Sequence, residues 1–264
     1  MASHPIYRFY AELLDYEPKM WRRFELMGNA TAARLGYVVM TLFEMEASHL
    51  FAIEIPFGEQ FEKRLHRRWP EKAGSMSASD YLTQKEMIHR YEVIYDDLDW
   101  ADDSPHYEQI DATSTFSSIK HIFPEPGDTA IMEYDFGDGW QVKLVLEEIY
   151  EDRDLPANQL PRVLDGGGFG IIEDCGGPGG LMVAASLMDG RKPDGFGSDY
   201  LEGFEEWLEW RGFMDADLDA FDIEDMNFRL KRIPRIYMQA YEKGLAPTQQ
   251  SLDLIQRKYR STPQ

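Results

Sequence analysis

The stretch EYDFGDGWQVKLVLEEI, residues 133–149, decides the fold, because two alternating apolar runs lie on either side of a turn. Alternation with a period of two residues is typical of half-buried β-strands. Between the runs, Asp138-Gly139 predicts a tight two-residue turn, since glycine accepts a positive φ at little cost. The stretch therefore predicts an antiparallel hairpin. The side chains that share a face are Met132 and Tyr134 before the turn and Val142, Leu144 and Leu146 after it.

The first 57 residues repeat this pattern and add a helix. IYRFYAELL (6–14) and PKMWRRFELM (18–27) both alternate, which predicts a second hairpin. Thr31 is a predicted N-cap of a helix that runs to about Phe43, and HLFAIEI (49–55) returns to strand. The order strand, strand, helix, strand favours an α+β fold over a parallel doubly wound sheet.

The last third of the chain is predicted to be helical. Gly212 is a natural C-terminal cap, Asp222 a predicted N-cap, and Pro234 suits the first turn of a further helix. We therefore predict a mainly antiparallel sheet with flanking helices and a helical C-terminal third. Residues 1–246 are predicted as a single α+β domain, with 58–108 as a helical and loop elaboration, 199–246 as the helical part, and 247–264 as a polar tail.

The composition limits the classes of partner. The 264 residues hold 48 acids and 27 bases, a formal net charge of −21, which opposes direct binding to nucleic acid. An acidic surface suits a basic protein partner, although solubility alone also explains it. A single cysteine excludes an internal disulfide and fits the cytoplasm, and no leader or membrane-spanning run is predicted.

Four carboxylates on two glycine-rich stretches are the candidate catalytic residues: Asp135, Asp138, Glu173 and Asp174. If the two loops meet, repulsion would raise some of their pKa values and allow acid-base chemistry or binding of a hard cation. If they do not meet, each carboxylate would accept backbone N–H groups within its own turn. The sequence leaves both readings open.

Arg22, His49 and Trp140 are the candidate binding residues. Arg22 and Arg23 are neighbours in a strand and point to opposite faces, so at most one of them can neutralise the carboxylates. Trp140 is expected in the core, where its indole N–H needs an acceptor, and Asp135 and Glu173 are the candidate acceptors. No zinc, calcium or nucleotide motif is present, so no cofactor is predicted, with a divalent cation on the carboxylates as the alternative.

Five segments together resemble one family. They are, in order, PKMWRRFEL, HLFAIEI, YDFGDGW, PRVLDGGGFGIIEDCGGPGGL and FDIEDMNFRL. They resemble the plasmid pRiA4b ORF-3-like family, which implies an α+β protein on an antiparallel sheet, encoded on a plasmid, a mobile element or a chromosome. Ile171 and Ile172 stand where the family pattern has two prolines before Glu-Asp.

The leading functional hypothesis is a non-enzymatic accessory or interaction protein of plasmid or mobile-element type, which binds a protein partner, with a basic one as the favoured class. The first alternative is a metal-assisted hydrolase that uses the four carboxylates. The second is an acidic mimic of nucleic acid that inhibits a basic protein. An enzyme is thus the less expected class.

Overall fold

The computed structural model describes residues 5–73, 86–94 and 106–258; the aspartates at 96, 97, 99, 102 and 103 lie outside these ranges. Within them, one open sheet has the strand order β5-β4-β3-β6-β7-β1-β2-β8, antiparallel except for the parallel pair β4-β5. The strands are β1 (Ile6–Leu13), β2 (Trp21–Met27), β3 (Phe51–Ile55), β4 (Ile88–Glu92), β5 (Tyr107–Asp111), β6 (Thr129–Tyr134), β7 (Trp140–Tyr150) and β8 (Arg162–Gly167).

The helices flank this sheet, which confirms the predicted α+β class. They are α1 (Ala32–Leu42), α2 (Phe57–Arg68), α3 (Pro70–Ala73), α4 (Ile119–Ile122), α5 (Gly177–Met188), α6 (Ser198–Arg211), α7 (Ile223–Leu230), α8 (Ile233–Lys243) and α9 (Gln249–Ile255). Short 3₁₀ turns lie at Thr115–Ser117 and Ala157–Gln159. Within the described ranges, no helix is both long and apolar enough to cross a membrane.

The predicted helix ends are confirmed. Thr31 Oγ1 accepts from the Arg34 amide at 3.2 Å, and Asp222 accepts from the Asp225 amide at 3.0 Å, so each side chain satisfies a donor at a helix start. Gly212 ends α6 in the left-handed region at φ +79, and Pro234 lies in the first turn of α8.

The hairpin at residues 133–149 forms, but its turn is longer than predicted. Tyr134 pairs with Trp140, so residues 135–139 form a five-residue loop instead of a two-residue Asp138-Gly139 turn. Asp135 and Gly139 have positive φ values of +51 and +69, and the Gly139 amide donates to the Asp135 carbonyl at 2.7 Å. The two-residue prediction is wrong because Asp135 also takes the left-handed conformation, which aspartate tolerates better than most residues.

The elaboration at 58–108 contributes one strand, β4, that the sequence pattern missed, and β5 begins at Tyr107, at the end of this segment. Both strands extend the sheet beyond β3, although their sequences IHRYE and YEQID lack a long apolar run. Arg90 of β4 lies among three carboxylates, those of Glu54, Glu92 and Glu133. Charge pairing with Glu54 and Glu133 on other strands therefore adds to the apolar packing of Tyr91, which is buried in the core.

The C-terminal segment also differs from the predicted polar tail. Residues Gln249–Ile255 form α9, and Ile255 is buried. The Ile255 carbonyl accepts from the guanidinium of buried Arg229 at 2.9 Å, which holds this helix against α7.

Helix α1 lies at the centre of the core. Every residue of α1 except Arg34 is buried, and the helix contacts β3, α7 and α8. Gly36 allows the close approach to the sheet, since a Cβ there would lie 2.2 Å from the Phe51 ring. The opposite sheet face carries ion pairs, including that of Arg23 with Glu147 at 2.7 Å.

The loop after α1, residues 43–49, holds the C-terminal helices. Glu44 has a positive φ of +62 and a buried carboxylate that pairs with Arg229 and Arg257, the latter at 2.6 Å. The two guanidinium groups hold the pKa of Glu44 below its usual value, against the opposing effect of burial. The Tyr237 hydroxyl donates to the next carbonyl, that of Met45. We call residues 43–49 the hub loop.

Glu44→Ala should destabilise the protein by about 3–5 kcal/mol, because it leaves the buried Arg229 guanidinium without its carboxylate. Glu148→Ala is the matched control, since Glu148 pairs with Arg8 at the surface and should cost no more than about 1 kcal/mol. Urea unfolding followed by circular dichroism measures both values. Equal losses in the two variants would contradict the role assigned to Glu44.

Candidate functional site

The two glycine-rich loops that carry the candidate carboxylates meet in the structure. The Gly176 amide donates to Asp138 Oδ2 at 3.2 Å. Gly177 has φ +70, and a Cβ there would lie 2.2 Å from the Asp138 carbonyl oxygen, so the two backbones touch. Asp135, Asp138, Glu173 and Asp174 thus lie in one region of the structure, and the two loops that carry them are in contact.

Glu173 anchors the glycine loop to the hub loop. Its side chain is only 3% exposed. Its carboxylate accepts from the Tyr134 hydroxyl at 2.5 Å, the Ser48 hydroxyl at 2.6 Å and the Glu46 amide at 3.0 Å. Burial raises the pKa of Glu173 in spite of these three donors. Glu173 therefore joins three chain segments instead of facing solvent.

Asp135 and Asp138 shape the hairpin loop. Asp135 Oδ1 accepts from the amides of Gly137 at 3.1 Å and Asp138 at 3.3 Å. The Asp135 amide donates to the Leu50 carbonyl at 3.0 Å, which ties the hairpin to the start of β3. One oxygen of each of these aspartates is thus engaged by backbone N–H groups.

His49 lies where the carboxylates converge. Its Nε2 atom is 3.2 Å from Asp174 Oδ1, 3.4 Å from Asp135 Oδ2 and 3.6 Å from Glu173 Oε1. The imidazole is one-third exposed and meets the Tyr134 ring edge-on at a centroid distance of 5.9 Å. Asp174, with 58% of its side chain exposed, is the most accessible of the three acids. His49 and Asp174 are therefore the groups that a binding partner can reach.

A cavity of about 400 Å³ opens beside His49. The Tyr241 hydroxyl donates to the His49 carbonyl and fixes the cavity wall formed by α8. The lining residues are Ala47, Ser48, His49, Leu50, Ala240 and Tyr241.

Arg22 and Trp140, the other candidate binding residues, lie in the interior. The Arg22 guanidinium donates to the carbonyls of Leu42, Trp21, Gly167 and Phe169, and burial lowers its pKa. Its neighbour Arg23 pairs with Glu147 on the opposite sheet face, so neither arginine neutralises the carboxylates. In the described part of the chain, neither Asp135 nor Glu173 accepts a hydrogen bond from the Trp140 indole: Glu173 accepts from the Tyr134 hydroxyl, and Asp135 Oδ1 accepts from the Gly137 amide.

Two polar partners of this site, Ser48 and Tyr134, are not predicted from the sequence. Ser48 lies in a loop with no periodic pattern, and the alternation places Tyr134 only on the same strand face as Met132. In the structure, the hydroxyl groups of both residues donate hydrogen bonds to Glu173. The only available signal was that Tyr134 directly precedes the loop of the candidate Asp135.

The two isoleucines before Glu173 attach the glycine loop to the rest of the structure. Ile171 and Ile172 are buried, and the Ile171 amide donates to the Phe43 carbonyl at 2.9 Å. Proline at 171 could not make this bond, because it has no N–H. The glycine loop is thus attached to the hub loop by a backbone hydrogen bond just before Glu173.

The geometry of a metal site is not present in this part of the molecule. Across residues 5–73, 86–94 and 106–258, no group of three or more His, Cys, Asp or Glu side chains could hold a metal ion. A divalent cation at the carboxylates stays a prediction, to be tested by direct titration.

Gly177→Ala should separate the two loops. Alanine at φ +70 is strained and its Cβ would collide with the Asp138 carbonyl, so we expect a loss of more than about 1 kcal/mol in unfolding free energy. Gly179→Ala is the control: it lies on the same helix, and its Cβ would meet nothing within 4 Å in the described chain. Thermal unfolding of both variants measures the difference, and an unaffected Gly177→Ala protein would contradict the contact.

Cys175 should be inert in the folded protein. The thiol is buried, and burial raises its pKa to about 12. At pH 8 the thiolate fraction should therefore be about a thousandfold lower than for an ordinary cysteine. Reaction with a chromogenic disulfide should be slow in buffer and fast in denaturant. Rapid modification of the folded protein would refute this assignment.

The comparisons with known proteins agree with this fold. The model of the family described as plasmid pRiA4b ORF-3-like protein matches residues 5–229. Among solved structures, the chain is similar to a protein of unknown function from Methanosarcina mazei Go1, with 21% identity and a TM-score of 0.57. The match covers 84% of this chain and 97% of that one, and at this identity it shows the fold alone. No curated protein matches the chain. Because the family model spans most of its length, the protein belongs to the plasmid pRiA4b ORF-3-like family.

Proposed function

We propose that the protein is a non-enzymatic interaction protein that receives a positively charged side chain of a partner protein beside His49. The binding surface consists of His49, Leu50, Asp135, Phe136 and Asp174, which we call the acidic loop surface. The observation that carries the proposal is the convergence of three carboxylate oxygens within 3.6 Å of His49 Nε2.

The electrostatics of this surface favour a cationic ligand. One imidazole can carry at most a single positive charge, whereas three carboxylates surround it. An ammonium or guanidinium group from a partner would relieve the remaining repulsion and could bond to Asp174, the accessible acid.

The surface also offers apolar area to a partner. Phe136 is 50% exposed and Leu50 is 38% exposed, and the Asp135–Leu50 backbone bond keeps the two segments adjacent. The Arg90 guanidinium of the same chain lies 5.0 Å from the centroid of the Phe136 ring, so this ring already makes one contact with a cation. Exposed apolar side chains beside acidic ones are typical of a protein-binding patch.

An interaction role fits the acids better than hydrolysis does. The carboxylate of Glu173 and one oxygen of each of Asp135 and Asp138 are engaged by donors of the chain itself. An accessory role of plasmid or mobile-element type is part of the proposal and rests on the family resemblance. A cytoplasmic setting is also part of it and rests on the single-cysteine composition.

Affinity capture with surface variants tests the proposal. The double variant Asp174→Asn with Phe136→Ser should lose its protein partner, with recovery reduced about tenfold or more, because it removes both the open acid and the apolar contact. The matched control is Asp189→Asn with Phe116→Ser, the same two changes at other exposed positions. Recovery of the same partners by all three proteins would contradict the proposal.

A metal titration separates this proposal from the metal-assisted hydrolase. Calorimetry with Mg²⁺, Mn²⁺, Ca²⁺ and Zn²⁺ should show no stoichiometric binding to the wild-type protein. Stoichiometric binding that disappears in Asp174→Asn would instead support the hydrolase. A third outcome would support the acidic mimic. In that case the wild-type protein captures a basic nucleic-acid-binding protein, a higher salt concentration releases it, and the double variant Asp174→Asn with Phe136→Ser captures it equally well.

A further inference from the structure

Helix α6 presents a ladder of aromatic rings at the surface. Phe196, two residues before the helix, stacks on Tyr200, and Tyr200 stacks on Phe204, at centroid distances of 5.4 and 5.9 Å; the Trp207 ring is tilted against Phe204 at 5.3 Å. Phe196 and Tyr200 are almost half exposed, and Trp210 on the next part of the helix surface is 79% exposed. So much aromatic surface in water is a cost to a free protein and a common feature of binding sites.

Packing inside the chain accounts for only half of this ladder. Phe204 and Trp207 are partly buried against the core, whereas Phe196 and Tyr200 remain exposed. The residues that α6 buries are Leu201 and Leu208, which share a stripe about a quarter turn away from Tyr200. Gly203 lies in the middle of the helix, where glycine disfavours helix formation. A Cβ at Gly203 would meet nothing within 4 Å in the described structure, so no contact there requires glycine. The glycine leaves a notch between Tyr200 and Trp207, three residues before it and four after it.

Exposed acids border the ladder. Asp199, Glu202, Glu206 and Glu209 are all exposed on the adjoining stripe of α6. From residue 199 to residue 225 the sequence holds eleven acids and a single base, Arg211. Nearby negative charge excludes a phosphate backbone and attracts a cationic segment.

The chain itself shows which cation fits such a face. The Arg211 guanidinium lies 5.8 Å from the Trp207 ring and donates to the Glu46 carboxylate at 3.0 Å. Arg23 repeats the arrangement with Trp21 at 5.7 Å and Glu147 at 2.7 Å. A planar guanidinium stacks on a ring while its N–H groups bond to a carboxylate, which an ammonium group does less well.

We propose that the ladder and its bordering acids form a docking surface for an arginine-bearing segment of a partner protein. Arginines stack on Tyr200 and Trp210 and bond to the neighbouring glutamates, and the notch at Gly203 admits the partner backbone. This surface shares no residue with the acidic loop surface, so either one can fail without the other.

Calorimetry with defined peptides tests the inference. A short peptide in which arginines alternate with glycine and serine should bind about tenfold more tightly than its lysine counterpart of equal charge, a difference of about 1.4 kcal/mol. Tyr200→Ala and Trp210→Ala should each weaken binding of the arginine peptide about tenfold. Phe116→Ala, at an exposed position outside both proposed surfaces, should leave it unchanged.

A further variant, Gly203→Leu, distinguishes loss of the binding surface from unfolding of helix α6. Gly203→Leu fills the notch and raises helix propensity, so a loss of binding in this protein cannot be ascribed to unwinding of α6. Circular dichroism verifies the helix content. Three results would each overturn the proposal. The first is equal affinity for the arginine and lysine peptides, and the second is no binding of either peptide. The third is unchanged binding of the arginine peptide in Tyr200→Ala, Trp210→Ala and Gly203→Leu.

Discussion

The ion cluster at buried Glu44 is the constraint on which the rest of the structure depends. A carboxylate in the interior must be paired, and here the guanidinium groups of Arg229 and Arg257 pair with it from the C-terminal part of the chain. Glu44 belongs to the hub loop, so this pairing also fixes the position of Ser48 and His49. The same loop is held from the other side by Glu173 and by the Ile171 amide. One short segment thus connects the C-terminal helices to the glycine loop.

This arrangement explains why a concentration of acids is tolerated at the candidate site. Repulsion among carboxylates is offset when their oxygens accept hydrogen bonds from backbone amides and hydroxyl groups. Glu173 has three such donors, and Asp135 has two. What remains open to solvent is a small part of the cluster, namely Asp174 and the edge of His49. Within the described residues, Asp174 is thus the acid of this cluster that faces solvent most.

Local patterns predicted the regular elements where neighbouring residues determine them. The Thr31 and Asp222 caps depend on a side chain that reaches an amide three residues away, and the alternation in β1, β2, β6 and β7 depends on one buried face. The pattern failed where distant groups decide. β4 has a mostly polar sequence and is held by Arg90, which pairs with acids from other strands, and by Tyr91, which packs in the core. α9 forms at a predicted loose tail, where Arg229 donates to the Ile255 carbonyl.

The sequence by itself determined the α+β class, the two hairpins, the helix caps and the choice of the four carboxylates, because these follow from periodicity, from short-range hydrogen bonds and from residue chemistry. Only the tertiary structure decided that the two loops meet, that the hairpin loop has five residues, and that Arg22 is an interior bond donor. Those outcomes depend on contacts between residues far apart in the chain, such as Gly177 with Asp138. The packing that brings such residues together depends on the whole core, which no single stretch of sequence contains.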